Sequence, residues 1–150
     1  LYLQNAKGLK MINLLDMTCE EVTSYIISLN EPKFRGKQIY SWLYKGISSF
    51  EDMLNIPKSL REKLTENCTL GQLEIAEKFV SDIDETRKYL LQLYDGNYIE
   101  TVLMKYHHGY TLCVSSQVGC RMGCAFCAST KAGFVRNLEP SEMLLQMQPH

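Results

Sequence analysis

Hydrophobic positions in the first part of the chain recur at helical spacing, and those in the middle alternate as in strands. Val22, Tyr25, Ile26 and Leu29 fall on one helical face. Thr18 and Glu21 have the spacing of a capping box, and Met17 can staple onto Val22, so a helix is predicted to begin at Thr18. Asn30-Glu31-Pro32 ends it, because the residue before a proline disfavours helical backbone. A second helix is predicted from about Arg35 to Lys45, with Ile39, Trp42 and Leu43 inward and Gly46 as its stop. Ser49-Phe50-Glu51-Asp52 opens a short helix carrying Phe50, Met53 and Leu54. Pro57, which has no N–H to lose, suits the first turn of another with Leu60 and Leu64 inward.

Beyond Asn67 the period shortens to two. Leu73–Ile75 with Phe79–Val80, then Tyr89–Tyr94, Tyr98–Met104 and Tyr110–Ser115 predict four strands. Asp95-Gly96 is a hairpin turn signal, and His107-His108-Gly109 turns the chain again. Gly133 breaks the chain, and Pro140-Ser141 reads as a helix start. The expected domains are therefore a helical domain over 11–70, a β-hairpin extension over 71–104, and a strand, loop and helix over 105–150. Strand, functional loop and helix form the opening unit of an α/β barrel, which in full takes about 250 residues. The fold class expected is an α+β fragment ending in a truncated partial barrel. Residues 1–10 look foreign to it: Leu-Tyr-Leu-Gln-Asn-Ala resembles a protease-site scar, and Met11 is a natural start.

Composition narrows the function classes. With 45% hydrophobic residues the chain can build a core, and a net charge of −1 advertises no global attraction for nucleic acid. Charge is nevertheless uneven: Glu31 to Gly46 carries a local +3, and Ile47 to Glu100 a local −5. Arg35, Lys37 and Lys45 beside Tyr40 and Tyr44 could grip an RNA backbone and stack on bases. An ordinary solvated helix face is the plainer reading of the same residues. No apolar run approaches the ~18 residues of a membrane span, and no charged-then-apolar leader is present. A cytoplasmic setting without membrane contact is expected, where thiols stay reduced. No Gly-rich phosphate loop, hydrolase triad or paired carboxylate site is apparent.

The chemistry concentrates in Cys120-Arg121-Met122-Gly123-Cys124-Ala125-Phe126-Cys127, three cysteines spaced C-x3-C-x2-C. Thiolates are soft ligands for iron and zinc, and short cysteine runs hold iron–sulfur clusters. A closed structural site takes four ligands, whereas a reactive one leaves a position open. Three cysteines on a four-iron cluster would leave one iron free. A zinc site completed by Cys113, His107 or His108 is the alternative, which the spacing disfavours. Phe126 and Met122 are expected to shield the loop from water. Cys113 is either a redox thiol on the polar face of the strand with Thr111 and Ser115, or a buried structural thiol. Glu100, among Tyr98, Ile99, Val102 and Leu103, is either a base with a raised pKa or a charge on the open face of an edge strand. Cys19 and Cys68 read as bystanders, and His107 and His108 as a solvated turn.

The run Thr111-Leu-Cys-Val-Ser-Ser-Gln-Val-Gly-Cys-Arg-Met-Gly-Cys-Ala-Phe-Cys-Ala-Ser-Thr130, continuing to Gly133-Phe-Val-Arg-Asn-Leu-Glu139, resembles the radical S-adenosylmethionine RNA methyltransferases of the RlmN/Cfr family. The likeness extends back through Ile12-Asn-Leu-Leu-Asp16, Phe34-Arg-Gly-Lys-Gln38 and Ile99-Glu-Thr-Val102. Ser115-Ser-Gln-Val-Gly-Cys120 favours the adenine-C2 branch over the C8 branch. The resemblance implies a [4Fe-4S] cluster on Cys120, Cys124 and Cys127, with S-adenosyl-L-methionine on its open iron. It implies methylation of C2 of adenosine in 23S rRNA and tRNA through a methyl-cysteine intermediate. Glu100 is implied as proton acceptor. Cys113 is implied to form a transient disulfide with the methyl-carrying cysteine, which this sequence does not include. A small electron donor such as flavodoxin or ferredoxin is implied as a partner. On this reading the chain is an N-terminal fragment, inactive by itself; the C8 enzyme and a non-catalytic, zinc-stapled RNA-binding module remain alternatives.

Overall fold

In the computed structural model, which describes residues 11–148, α1 (Cys19–Ser28) starts where its cap dictates. Thr18 Oγ1 accepts from the Glu21 N–H at 3.3 Å, and Glu21 Oε2 accepts from the Thr18 N–H at 2.7 Å. α2 (Lys33–Leu43) begins two residues earlier than predicted, with Pro32 as its cap residue. The two helices meet at Gly36, where a Cβ would lie 2.5 Å from Thr23 Cα, so only glycine permits this approach. Thr23 turns its hydroxyl back to the Cys19 carbonyl at 2.7 Å.

A 3-10 turn at Phe50–Asp52 leads to α3 (Lys58–Asn67). β1 (Ile12–Asn13) pairs in parallel with β2 (Cys68–Thr69), joining the two ends of this helical part. Leu14, Val22, Ile26, Ile39, Met53, Leu60 and Leu64 are wholly inaccessible and form its core. Leu54, predicted with Phe50 and Met53, is instead 83% exposed, because the turn ends before carrying it inward. Cys68 is buried, with its thiol donating to Tyr25 Oη at 3.3 Å; burial pushes its pKa up to about 11.

The chain divides after Gly71, and a second unit begins at Gln72. Its main sheet is antiparallel, in the order β3 (Glu74–Val80), β4 (Arg87–Gln92), β5 (Tyr98–Tyr106), β6 (Gly109–Cys113). The Asp95-Gly96 turn forms as predicted, with Gly96 at φ +81° and the Leu93 N–H bonded to the Asn97 carbonyl at 2.8 Å. Tyr89, Leu91, Leu93 and Ile99 pack on one face of the sheet with Val118 and Leu138. β6 ends two residues short of its predicted end. The strand that feeds the cysteine loop is a separate one, β7 (Gln117–Val118), which pairs antiparallel with β8 (Arg136–Asn137) beyond the loop. α4 (Pro140–Leu145) follows. Helices and antiparallel sheets in these proportions make an α+β chain. The readings placed on residues 1–10 lie outside the described residues.

Candidate cysteine-loop site

The loop holding Cys120, Cys124 and Cys127 is closed at its neck by the β7–β8 pair. The Val135 N–H bonds to the Val118 carbonyl, and the Leu138 N–H to the Ser116 carbonyl, both at 2.9 Å. Gly119, at φ +71°, lets the two limbs touch: a Cβ there would fall 1.8 Å from the Gly133 carbonyl oxygen. Within the loop, Cys124 and Cys127 bracket a turn, the Cys127 N–H bonding to the Cys124 carbonyl at 3.1 Å. The Thr130 hydroxyl lies 3.2 and 2.9 Å from the carbonyls of Cys124 and Cys127. Arg121 stacks over Phe134 at 4.0 Å.

The three loop thiols are half-buried, and the Met122 N–H points to Cys120 Sγ at 3.5 Å. Thiols in a short run suit iron, and N–H donors to sulfur help set a cluster's potential. The donor chemistry therefore fits. Yet among the described residues no group of three or more His, Cys, Asp or Glu side chains is gathered so as to hold a metal ion. The loop shares its three thiols without focusing them on one point. Phe126 and Met122 do not shield it: they are 93% and 79% exposed, since no described element packs against this side of the loop.

Glu100 and Cys113 come together on one face of the main sheet. Phe79, Lys88, Val102 and Cys113 are successive cross-strand partners, forming a row across all four strands. Glu100 stands one step along β5 on the same face and pairs with Lys88 Nζ at 3.0 Å. The sheet's packed face is the opposite one, with Tyr89, Leu91, Ile99 and Thr101. Both functional candidates are thus exposed. The apolar burial that would make Glu100 a base by desolvation is absent, and β5 is a central strand rather than the expected edge. Cys113 is exposed rather than buried. All six cysteines are free thiols, and no disulfide forms within this chain; the transient one implied for Cys113 involves a cysteine outside this sequence.

Two polar clips support the loop, and neither was anticipated from the sequence. Arg136 on β8 donates through Nη1 and Nη2 to both carboxylate oxygens of Glu142 on α4, at 2.7 and 2.8 Å, and through Nε to Asp95 at 2.7 Å. Burial would raise the Asp95 pKa, but hydrogen bonds from Arg136 and Asn97 outweigh it and hold it at about 2. Gln146, fully buried at the end of α4, is hydrogen-bonded on both sides of its amide by Thr101, Ser115 and Glu142. A glutamine directly after two leucines gives little signal of such a role.

On the helical unit, one nitrogen of the Arg35 guanidinium is engaged within the chain. Its Nη1 donates to Gln38 Oε1 and to the Asn55 carbonyl, both at 2.9 Å. Lys33, Lys37 and Lys45 remain exposed, Lys45 lying over the Trp42 ring at 4.3 Å. The Tyr40 and Tyr44 hydroxyls are 3.0 Å apart on the same helix.

Residues 12–70 match the model of the ribosomal RNA large subunit methyltransferase N-terminal domain, RlmN_N. Over 138 residues, 92% of this chain, the sequence is 54% identical to a protein of Clostridioides difficile strain 630 named "Probable dual-specificity RNA methyltransferase RlmN". A protein of the same name from Clostridium botulinum strain Eklund 17B is 53% identical over 137 residues, 91% of this chain. The chain spans 40% of the length of each. A crystal structure of a radical SAM methyltransferase from Sphaerobacter thermophilus superposes with a TM-score of 0.81 at 38% identity, covering 90% of this chain and 40% of that one.

Proposed function

Since this chain belongs with the RlmN-type radical SAM methyltransferases, as the counterpart of their N-terminal part, we propose that it serves the methylation of adenosine C2 in 23S rRNA and tRNA. The reading is supported by three thiols on one neck-closed loop in a chain half identical to proteins named probable dual-specificity RNA methyltransferases. Cys120, Cys124 and Cys127 would hold a [4Fe-4S] cluster, the loop gathering them around it. With S-adenosyl-L-methionine, the cluster supplies the radical initiation that a non-nucleophilic carbon such as adenine C2 requires.

The chain's own residues frame that chemistry. Gly119 and the β7–β8 pair fix the base of the loop. Cys113, exposed on the sheet face, is the thiol proposed to help resolve the covalent enzyme–RNA intermediate: as the carbon–sulfur bond to the base breaks, it would form a transient disulfide with the cysteine that carried the methyl group, the odd electron returning to the cluster. Glu100, two residues along β5 from the partner of Cys113, would take the proton from the substrate carbon, with Lys88 orienting its carboxylate. The exposed lysines of α2 would meet RNA phosphates, with Tyr40 and Tyr44 beside them. No described helix is long and apolar enough to cross a membrane, and a cytoplasmic enzyme fed electrons by a small flavodoxin- or ferredoxin-like protein is the setting proposed.

Anaerobic reconstitution with iron and sulfide, followed by low-temperature EPR, tests the reading. Iron and acid-labile sulfide in equal amounts, with a cubane signal lost in Cys124→Ala, are expected. Zinc bound without sulfide would overturn it.

A further inference from the structure

We propose that Gln146 is the positioning residue of the cysteine loop, holding Ser115 so that the loop's neck can close. Its amide is used on both sides. Oε1 accepts from the Ser115 N–H and the Thr101 hydroxyl, each at 2.8 Å. Nε2 donates to the Ser115 carbonyl at 2.9 Å and to the Glu142 carbonyl at 3.1 Å. Gln146 and Thr101 are both wholly inaccessible to solvent. A buried amide with all four positions filled is a specific arrangement, since each unmet group would carry a desolvation cost.

The consequence falls on Ser115. Both of its backbone groups are bonded to a side chain from α4, and its hydroxyl donates to the Glu100 carbonyl at 2.7 Å. Ser115 therefore leaves the β5–β6 ladder, which explains why β6 ends at Cys113. The next residues are then aimed at the neck. The Ser116 carbonyl takes the Leu138 N–H, and Gln117–Val118 forms β7. One side chain thus ties β5, through Thr101, to the segment that leads from Cys113 into the loop bearing the three loop thiols. The consequence for the cluster rests on the function proposed above; the placement of the neck does not.

The full chain is compared with Gln146→Met, which keeps the volume and removes the hydrogen bonds, and with Thr101→Val, which removes one donor and keeps the shape. Amide exchange is read at Ser115 and, at the neck, at Val135. Both amides should exchange about tenfold faster in Gln146→Met, the scale of a lost buried hydrogen bond. After reconstitution, a chelator should strip its iron about tenfold faster than from the parent chain, by the same loss. Faster exchange at Ser115 with Val135 unchanged would reduce Gln146 to a local contact and overturn the proposal. If Gln146→Met does not fold, Thr101→Val decides: a smaller rise at both amides supports the proposal, and unchanged exchange at Val135 refutes it. A parent chain that takes up no iron would defeat the function reading, while the two amides would still decide this one.

Discussion

The two units are held together differently. In the helical unit seven apolar side chains are wholly inaccessible, and its cohesion is the burial of hydrocarbon. In the sheet unit the wholly inaccessible residues are Leu91, Thr101 and Gln146, and the polar clips at Gln146 and Arg136 do much of the joining. Apolar packing tolerates any side chain of suitable size, whereas a clip demands particular donors and acceptors. The unit that carries the candidate chemistry is the one with the demanding joints. That suits a loop whose base must sit in one place, and it makes this unit the more sensitive to single polar substitutions.

The sharpest way to break the comparison is at Arg136. Arg136→Ala leaves Glu142 buried with no cation, and should destabilise the sheet unit by about 3–5 kcal/mol in urea unfolding followed by exchange at Leu91 and Ile99. A loss below 1 kcal/mol would show that hydrocarbon holds this unit too. In the helical unit, Leu64→Ala should cost about 2–5 kcal/mol by the same measurement, as a cavity in a packed core. Removing the cap with Thr18→Ala should cost about 1 kcal/mol, seen as fraying at the start of α1.

Acid should separate the units as well. The folded-state pKa of Asp95 is depressed, so its contribution is present above the unfolded value near 4 and lost as the pH falls through about 2. The sheet unit should therefore weaken across that window, and Asp95→Asn should flatten the slope there in a pH series of unfolding curves. The smallest effect is expected at the exposed ion pair: Glu100→Gln should change stability by less than about 0.5 kcal/mol in urea unfolding.

Local features were the legible ones. The Thr18–Glu21 cap, the Asp95-Gly96 turn and the inward stripe of Leu60 and Leu64 depend on residues a few positions apart, and the structure places them as read. The three cysteines of the loop were equally visible as a spacing. What could not be read were contacts across long separations. Gln146 meets Thr101 from 45 residues away, and Arg136 meets Asp95 from 41. Gly36 carried no reading of its own in the sequence; the close approach of Thr23 on the neighbouring helix gives the reason for it. Glu100 was left between two readings for a related cause: alternation says which residues share a face, but the element covering a face decides which one is dry.

The outer strand β3 has a practical consequence. Every residue from Glu74 to Val80 is exposed, one of its long sides has no ladder partner among the described residues, and Ile83 just beyond it is 99% exposed. Such a margin can zip onto its twin in another molecule. Glu74, Glu77 and Lys78 are what keep neighbours apart, so crowding and high salt, more than heat, should set how concentrated a sample can be before it clouds.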